Sequence, residues 1–357
     1  MGPDPLRTAV VGCGRIGTWS RPEHAKALPP GWIPLSHADA IRSVPGLSLV
    51  ALCDSNADNL GRALEAYPGT RPFSDYRALI DDVRPDILSI ATRTAGRCDI
   101  IEYAARHGVR GIHLEKPIST NLADCTRALS AASAAGVQLS YGTTRRFMDI
   151  YAKARDLLAS GEIGTLVEVQ VQMGRNSLLW SHPHSVDLLI FYSGTSDVDV
   201  VHASSPVHPA SWAPGLIDDD PVVEHALVRF KNGITGSISS AGGYNVLLCG
   251  TEGNLCIGGN GGWIDLRKKS APEDLYFLDS RRVHVDPTAS GTARAFHRLE
   301  SAVRTGGPPP MPPEEIAANQ RILIAMAASA LDGGRPIAPA EVDPRFTVTG
   351  RFGDKYA

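Results

Sequence analysis

Arg7-Thr8-Ala9-Val10-Val11-Gly12-Cys13-Gly14-Arg15-Ile16-Gly17 is the stretch whose reading decides the fold. A short, largely apolar run passes without a break into the pattern Gly-x-Gly-x-x-Gly. Such a run, ended by glycine, reads as a buried strand. The glycines permit a tight turn and a close backbone approach, so a pyrophosphate can rest on the N-terminus of the helix that follows. A lone match of this kind is weak. One placed at the first strand–helix turn of an alternating chain is much stronger.

The chain does alternate. Leu47 to Cys53, Ile87 to Ala91 and Gly111 to Leu114 repeat the strand pattern. Helical patterns lie between and after them, at 57–66, 76–83, 98–107 and 122–135. This predicts an α/β fold with a doubly wound parallel sheet over residues 1–145, covered on both faces. The texture changes after about residue 145. Val167, Val169 and Val171 alternate with Glu168, Gln170 and Gln172, which predicts a strand with one apolar face. Lys231-Asn232-Gly233 signals a hairpin between the runs 226–230 and 234–239. A helical stretch from Pro313 to Leu331 closes at Gly333-Gly334. Residues 146–357 are therefore expected to form an α+β domain on an open, largely antiparallel sheet.

A dinucleotide site also needs an acid about 20 residues beyond the glycines, at the end of the second strand. Asp54 has the strand position, yet it lies 37 residues past Gly17 (54 − 17). The stretch 18–36 holds Pro22, Pro29, Pro30 and Pro34 and does not read as a helix, whereas His37-Ala-Asp-Ala-Ile resumes one. Removing an insertion of about 17 residues restores the usual spacing. Asp54 is then the ligand of the adenosine ribose diol, with Ser55 beside it. No arginine follows to receive a 2′-phosphate, so NAD is expected over NADP. The insertion is expected beside the glycine loop, and its deletion to impair binding more than folding.

Bulk properties exclude other classes. A net charge of −3 gives no electrostatic case for nucleic acid or an anionic membrane surface. No apolar run approaches the ~18 residues of a membrane span. The N-terminus lacks signal-peptide organisation. The six cysteines form no C-x-x-C pair and no metal-ligand spacing, which suits free thiols in a reducing cytoplasm and no bound metal.

Glu115-Lys116-Pro117, at the end of the fourth strand, resembles the E-K-P signature of the Gfo/Idh/MocA oxidoreductases. The resemblance runs along nearly the whole chain. It takes in Ala91-Thr92, Arg145-Arg146-Phe147, Gly161-Glu-Ile-Gly164, His184-Ser-Val-Asp187 and Gly250-Thr-Glu-Gly253. It implies a Rossmann domain, a second domain whose open sheet forms a homodimer or homotetramer interface, and oxidation or reduction of a carbinol carbon. Sugars, inositols (cyclitols) and related small molecules are the substrates implied.

Residue by residue, Lys116 matches the family's catalytic lysine, in a Lys–Pro peptide that is often cis. Glu115 and Thr92 match positions near the cofactor, beside Gly12, Gly14, Arg15, Ile16 and Gly17. His184 matches the active-site histidine. Pro183 suits the first turn of a helix running to Tyr192, where the helix dipole would favour the neutral imidazole of a general base. Asp187, three residues on, would share its face and orient the ring. Arg146, Arg175, Asn176 and His182 are substrate-contact candidates.

One position departs from the pattern. Where many members carry Asp four residues before the histidine, this chain has Trp180, either stacked on a substrate or packed under the nicotinamide. Two other readings stay open: a glycosidase using transient oxidation by NAD, and a non-enzymatic NAD-binding regulator. Asp218-Asp219-Asp220 hints at a cationic aminosugar, although acidic runs are usually solvated loops.

Overall fold

The computed structural model describes residues 4–19, 26, 28–206 and 212–350. Six strands form the first sheet: β1 (Leu6–Val11), β2 (Leu47–Cys53), β3 (Arg71–Phe73), β4 (Ile87–Ile90), β5 (Gly111–Leu114) and β6 (Gln138–Tyr141). Their order is β3-β2-β1-β4-β5-β6 and every pairing is parallel. Each residue of β4 and β5 is buried, which is why these strands read as unbroken apolar runs. The order reverses between β1 and β4. Ligands of such sheets bind beyond the carboxyl ends of the strands at that switch point, where Gly12 and Thr92 both emerge.

The far part of the chain returns a helix to this sheet. Gly291–Thr305 packs Ala293, Phe296, Leu299 and Val303 against Leu6, Val10, Ile41 and Leu47. Gly111 accommodates it: a Cβ there would lie 2.7 Å from Val303.

The second sheet has eight strands, in the order Asp279–Val283, Trp263–Lys268, Gly253–Gly258, Asn245–Gly250, Leu166–Gln172, Thr235–Ser239, His225–Phe230 and Val198–Ser204. All pairings but one are antiparallel; Leu166–Gln172 and Thr235–Ser239 run parallel. The expected hairpin stands at Lys231-Asn232-Gly233. Helices Asp149–Ala159, Leu178–Ser193 and Pro313–Leu331 supply the core that covers one face.

The valine stripe needs a correction. Val169 and Val171 are buried, but Val167 is 52% exposed. The ladder slips between Cys249 and Gly250, so Leu166 and Glu168 take consecutive partners and Val167 bulges outward.

The insertion starts beside the glycine loop, where the Thr18 hydroxyl donates to the Cys13 carbonyl at 2.8 Å, and it reaches further than expected. Residues 20–25 and 27 lie outside the described part. The remainder anchors in the second core: Trp32 is buried there, with Leu28 and Leu35 packed on it. The Trp32 indole donates to the Asn260 carbonyl at 3.0 Å, and the Gly31 carbonyl accepts from Gly291 at 3.0 Å. Deleting the insertion therefore strips core contacts, and folding should suffer with binding. The Ser36 hydroxyl then caps the helix His37–Arg42, where the regular pattern resumes.

A further correction concerns the helix bearing His184. It begins at Leu178, not at Pro183, and runs to Ser193 before Gly194 closes it in the left-handed region. Pro183 sits inside the helix and His184 lies well past its first turn. Backbone donors at the true start are taken by a side chain from elsewhere in the chain, as described next.

Candidate active site

The glycine loop shows which of its glycines the fold itself requires. Gly12 has φ +99°, and a Cβ on it would lie 2.6 Å from the Ala91 backbone. On Gly17 a Cβ would come within 1.9 Å of the Gly12 carbonyl oxygen. Gly14 differs: a Cβ there meets nothing within 4 Å. Its hydrogen leaves open space at the helix N-terminus, as a phosphate needs. Asp54, at the end of β2, accepts the Cys13 N–H at 2.7 Å and the Asn56 N–H at 2.8 Å. The acid is thus fastened to the glycine loop from 41 residues away. Exposed Ser55 follows it, and Ile16 packs on the core below. The Thr92 hydroxyl is buried without a protein partner, an unused donor at the mouth of the switch-point crevice. These residues fit a dinucleotide.

Glu115-Lys116-Pro117 emerges from β5 with a cis Lys116–Pro117 peptide. Arg97, buried at the start of the helix Arg97–Arg106, donates to the carbonyls of Thr92, Glu115 and Pro117. It ties the ends of β4 and β5 together, a role with no sequence signature beyond an arginine at a helix start. Glu115 is buried too. One oxygen lies 3.3 Å from His37 Nε2, and His37 Nδ1 meets the Ser89 hydroxyl at 2.8 Å. Burial pushes the Glu115 carboxyl up, but the His37 hydrogen bond with the charges of His37, Lys116 and Arg97 outweighs it, and the net result is about 2.

Lys116 Nζ donates to the Trp180 carbonyl and lies 4.4 Å from the centroid of the Trp180 ring. Arg15 of the glycine loop approaches the same ring at 5.9 Å. Trp180 is 40% exposed and so stands between the cofactor loop and the lysine. Burial lowers the pKa of Lys116, helped by Arg97 and Arg145 and opposed by Glu115 and Asp220.

The His184 ring is neutral for a reason other than helix polarity. Burial lowers its pKa well below 6.5, and the positive charges of Arg145 and Lys116 push the same way. Its Nδ1 is buried without a hydrogen-bond partner. Asp187 does not orient it. Arg146 grips Asp187, with Nε 3.0 Å from Oδ2 and Nη2 2.7 Å from Oδ1, and reaches Glu315 at 2.6 Å. Arg146 and Asp187 are therefore a buried ion pair, and the substrate-contact reading of Arg146 is corrected with the orienter reading of Asp187.

His182 is fully buried as well. Its ring nitrogens meet the Ser185 hydroxyl at 3.1 Å and the Asn176 carbonyl at 3.3 Å, and burial lowers its pKa to about 4. It fastens the helix to the preceding turn. The Asn176 side chain holds the Met173 carbonyl, so it too closes that turn, while Arg175 is exposed.

Three residues take roles at the site that the sequence reading did not assign to them. Besides Arg97, Arg145 donates to the Asn260 side chain at 3.0 and 2.7 Å under the Trp32 ring. Its charge reaches both Lys116 and His184, and its Nη1 is buried with no hydrogen-bond partner. Asp220 is the third. Its carboxylate accepts the N–H of Leu179 at 2.7 Å and of Trp180 at 3.0 Å, capping the His184 helix. Asp218 accepts from the Thr349 hydroxyl, and Asp219 accepts the Asp220 N–H. The acidic run is engaged in holding the fold.

Comparison with known proteins gives the family. The sequence description of the oxidoreductase family with an NAD-binding Rossmann fold, Gfo/Idh/MocA, matches residues 6–143. The uncharacterised oxidoreductase YrbE of Bacillus subtilis is 30% identical over 268 residues, 69% of this chain and 72% of that protein. The chain belongs to the Gfo/Idh/MocA oxidoreductases. Inositol 2-dehydrogenase of Salmonella typhimurium is 26% identical over 200 residues, 55% of this chain and about half (54%) of that enzyme. In structure, an oxidoreductase from Agrobacterium radiobacter, crystallised with NAD+, L-tartaric acid and magnesium, aligns at TM-score 0.73. It is 19% identical and covers 94% of this chain and 99% of its own, which shows a shared fold. As in the rest of the Gfo/Idh/MocA family, the first sheet is the NAD-binding one. No helix among the described residues is long and apolar enough to cross a membrane.

Proposed function

We propose that the protein is an NAD-dependent dehydrogenase acting on a secondary hydroxyl carbon of a sugar-like or cyclitol-like substrate. The observation that carries this is the meeting of Lys116, half-buried at the carboxyl end of β5, with neutral His184 beyond the glycine loop. When bound, the nicotinamide supplies hydride transfer. The chain's own part is to place a proton acceptor beside the hydroxyl and to keep water away, which is mainly a matter of positioning. Lys116, with its pKa lowered, can hold or release that proton nearer neutral pH than a free lysine. His184, held neutral, is the second acceptor.

Asp54 favours NAD over NADP, because a carboxylate at the ribose diol repels a 2′-phosphate. Residues 1–145 bind the cofactor and 146–357 the substrate. The outer face of the eight-stranded sheet, where Val167 and Leu227 are exposed, joins subunits into a homodimer or homotetramer. The free thiols suit the cytoplasm. Inositol dehydrogenase activity in the Salmonella relative makes cyclitols the first substrates to try. With Asp218 to Asp220 engaged in the fold, aminosugars come after them. The test is to screen NAD reduction across inositols, sugars, nucleotide sugars and aminosugars. Turnover without net NADH would replace the dehydrogenase with a glycosidase, and NAD binding without turnover on any of them would leave a regulator.

A further inference from the structure

We propose that Asp220 is a positioning residue for Lys116, supplying from a distant loop the carboxylate that position 180 lacks. The proposal rests on Lys116 being the proton-handling group of the preceding section.

The geometry runs through a single residue. Asp220 accepts the Trp180 N–H at 3.0 Å, and the carbonyl of Trp180 accepts from Lys116 Nζ. The second Asp220 oxygen takes the Leu179 N–H at 2.7 Å, and the Pro221 carbonyl accepts the Leu178 N–H at 2.9 Å. Three successive donors at the start of the His184 helix are therefore held by Asp220-Pro221. Asp220 is only 3% exposed, far more enclosed than a cap on a surface helix needs.

Charge gives the arrangement a use. The groups around Lys116 are Glu115 beside it, Arg97 from the helix below, Arg145 from the turn Thr144–Phe147, and neutral His184. Arg15 lies on the far side of the Trp180 ring. Glu115 is already shared with His37. Against two arginines, Asp220 joins Glu115 in stabilising the ammonium form. It also fixes the peptide on which that ammonium rests. A carboxylate at position 180 itself would do both from within the helix; with tryptophan there, the loop 218–221 does so from outside.

The test reads the lysine directly and needs no known substrate. The whole protein, labelled with [ε-13C]lysine, carries seven lysines, and Lys116→Arg identifies the Lys116 resonance. Titration gives its midpoint. In Asp220→Asn the midpoint should fall by about one pH unit, a tenfold loss of proton affinity, while the other lysines stay put. Asp220→Glu should recover most of the shift. Should the amide variant fail to fold, Asp220→Ser, which caps with a hydroxyl and carries no charge, takes its place. A cap without a positioning role would lower the melting temperature and leave the Lys116 midpoint unchanged, and that result overturns the proposal. The outcome is separable from the proposed function. A Lys116→Ala variant with parental turnover would refute the mechanism whatever the titration shows.

Discussion

The end of β5 and the start of the helix Leu178–Ser193 face each other across the site, and they are held in different ways. At β5 the reactive residue is two residues beyond a fully buried strand, so a short stretch of chain almost completes its position. Arg97 adds three bonds to carbonyls of Thr92, Glu115 and Pro117. At the helix, nothing nearby in sequence suffices. His184 is placed by Asp220 at the helix start, by Arg146 gripping Asp187, and by Asn319, whose side chain donates to the Pro183 carbonyl at 2.9 Å. A strand end can carry a motif that survives as a recognisable word. A helix held from three remote places shows its residues but not their partners.

If that contrast is right, Lys116→Ala should be the most damaging change to activity and harmless to the fold. Loss of a positioned acid–base group costs roughly 10²–10⁴ in kcat. NADH binding, followed by its fluorescence, should stay near the parental value. His184→Ala should cost less than Lys116→Ala in the same assay, since its Nδ1 has no orienting partner.

The helix side should instead break as structure. Burial already raises Asp187 to about 6 against the pull of Arg146. Arg146→Ala therefore leaves a buried carboxyl that must take up a proton and has lost its partner, a defect worth about 3–5 kcal/mol. Denaturant unfolding should show it as a lowered midpoint, and activity should fall only with the folded fraction. If Arg146→Ala unfolds like the parent but binds substrate poorly, Arg146 is a substrate residue after all.

Acid should weaken both regions together. Burial lowers His113 of β5 to about 3, with His37 adding to the effect, and burial lowers His182 of the helix to about 4. A histidine depressed in the folded state binds its proton only on unfolding, so stability falls as pH drops below about 6.5 toward those values. At pH 5 each contributes a loss of about 2 kcal/mol relative to pH 7 or above. Asp187 and Asp220, raised by burial to about 6, take up protons in the folded state over the same range and offset part of that loss. The histidine share is therefore read by comparing urea unfolding of the parent and His113→Phe at the two pH values, where the variant should lose less. An equal loss in that variant would mean that His113 titrates normally.

The smallest effect sharpens the glycine loop. Gly14→Ala should fold like the parent, because a Cβ there meets nothing within 4 Å, yet bind NAD roughly tenfold more weakly, about 1.4 kcal/mol. Gly17→Ala should fail to fold, as its Cβ would overlap the Gly12 carbonyl. Paired thermal melts and NADH titrations separate the two; equal behaviour would show that the loop's glycines serve only packing, or only the cofactor.

What the sequence determined by itself is what depends on neighbours along the chain. The glycine loop, the alternation of strands and helices, Asp54 at a strand end, the E-K-P stretch and the Lys231-Asn232-Gly233 hairpin are all local, because backbone conformation and buried periodicity act over a few residues. Tertiary structure decided the partners. Arg145 and Arg146 are adjacent, and no local rule says that one pairs with Asp187 and Glu315 while the other goes to Asn260. The His184 helix begins five residues before its proline because Pro221 and Asp220, about 40 residues away, take its first three free N–H groups. The insertion looked like a loop to be removed, yet it delivers Trp32 to the other domain's core. A buried charge or donor must find a partner wherever the fold brings one, and sequence distance places almost no limit on where that is.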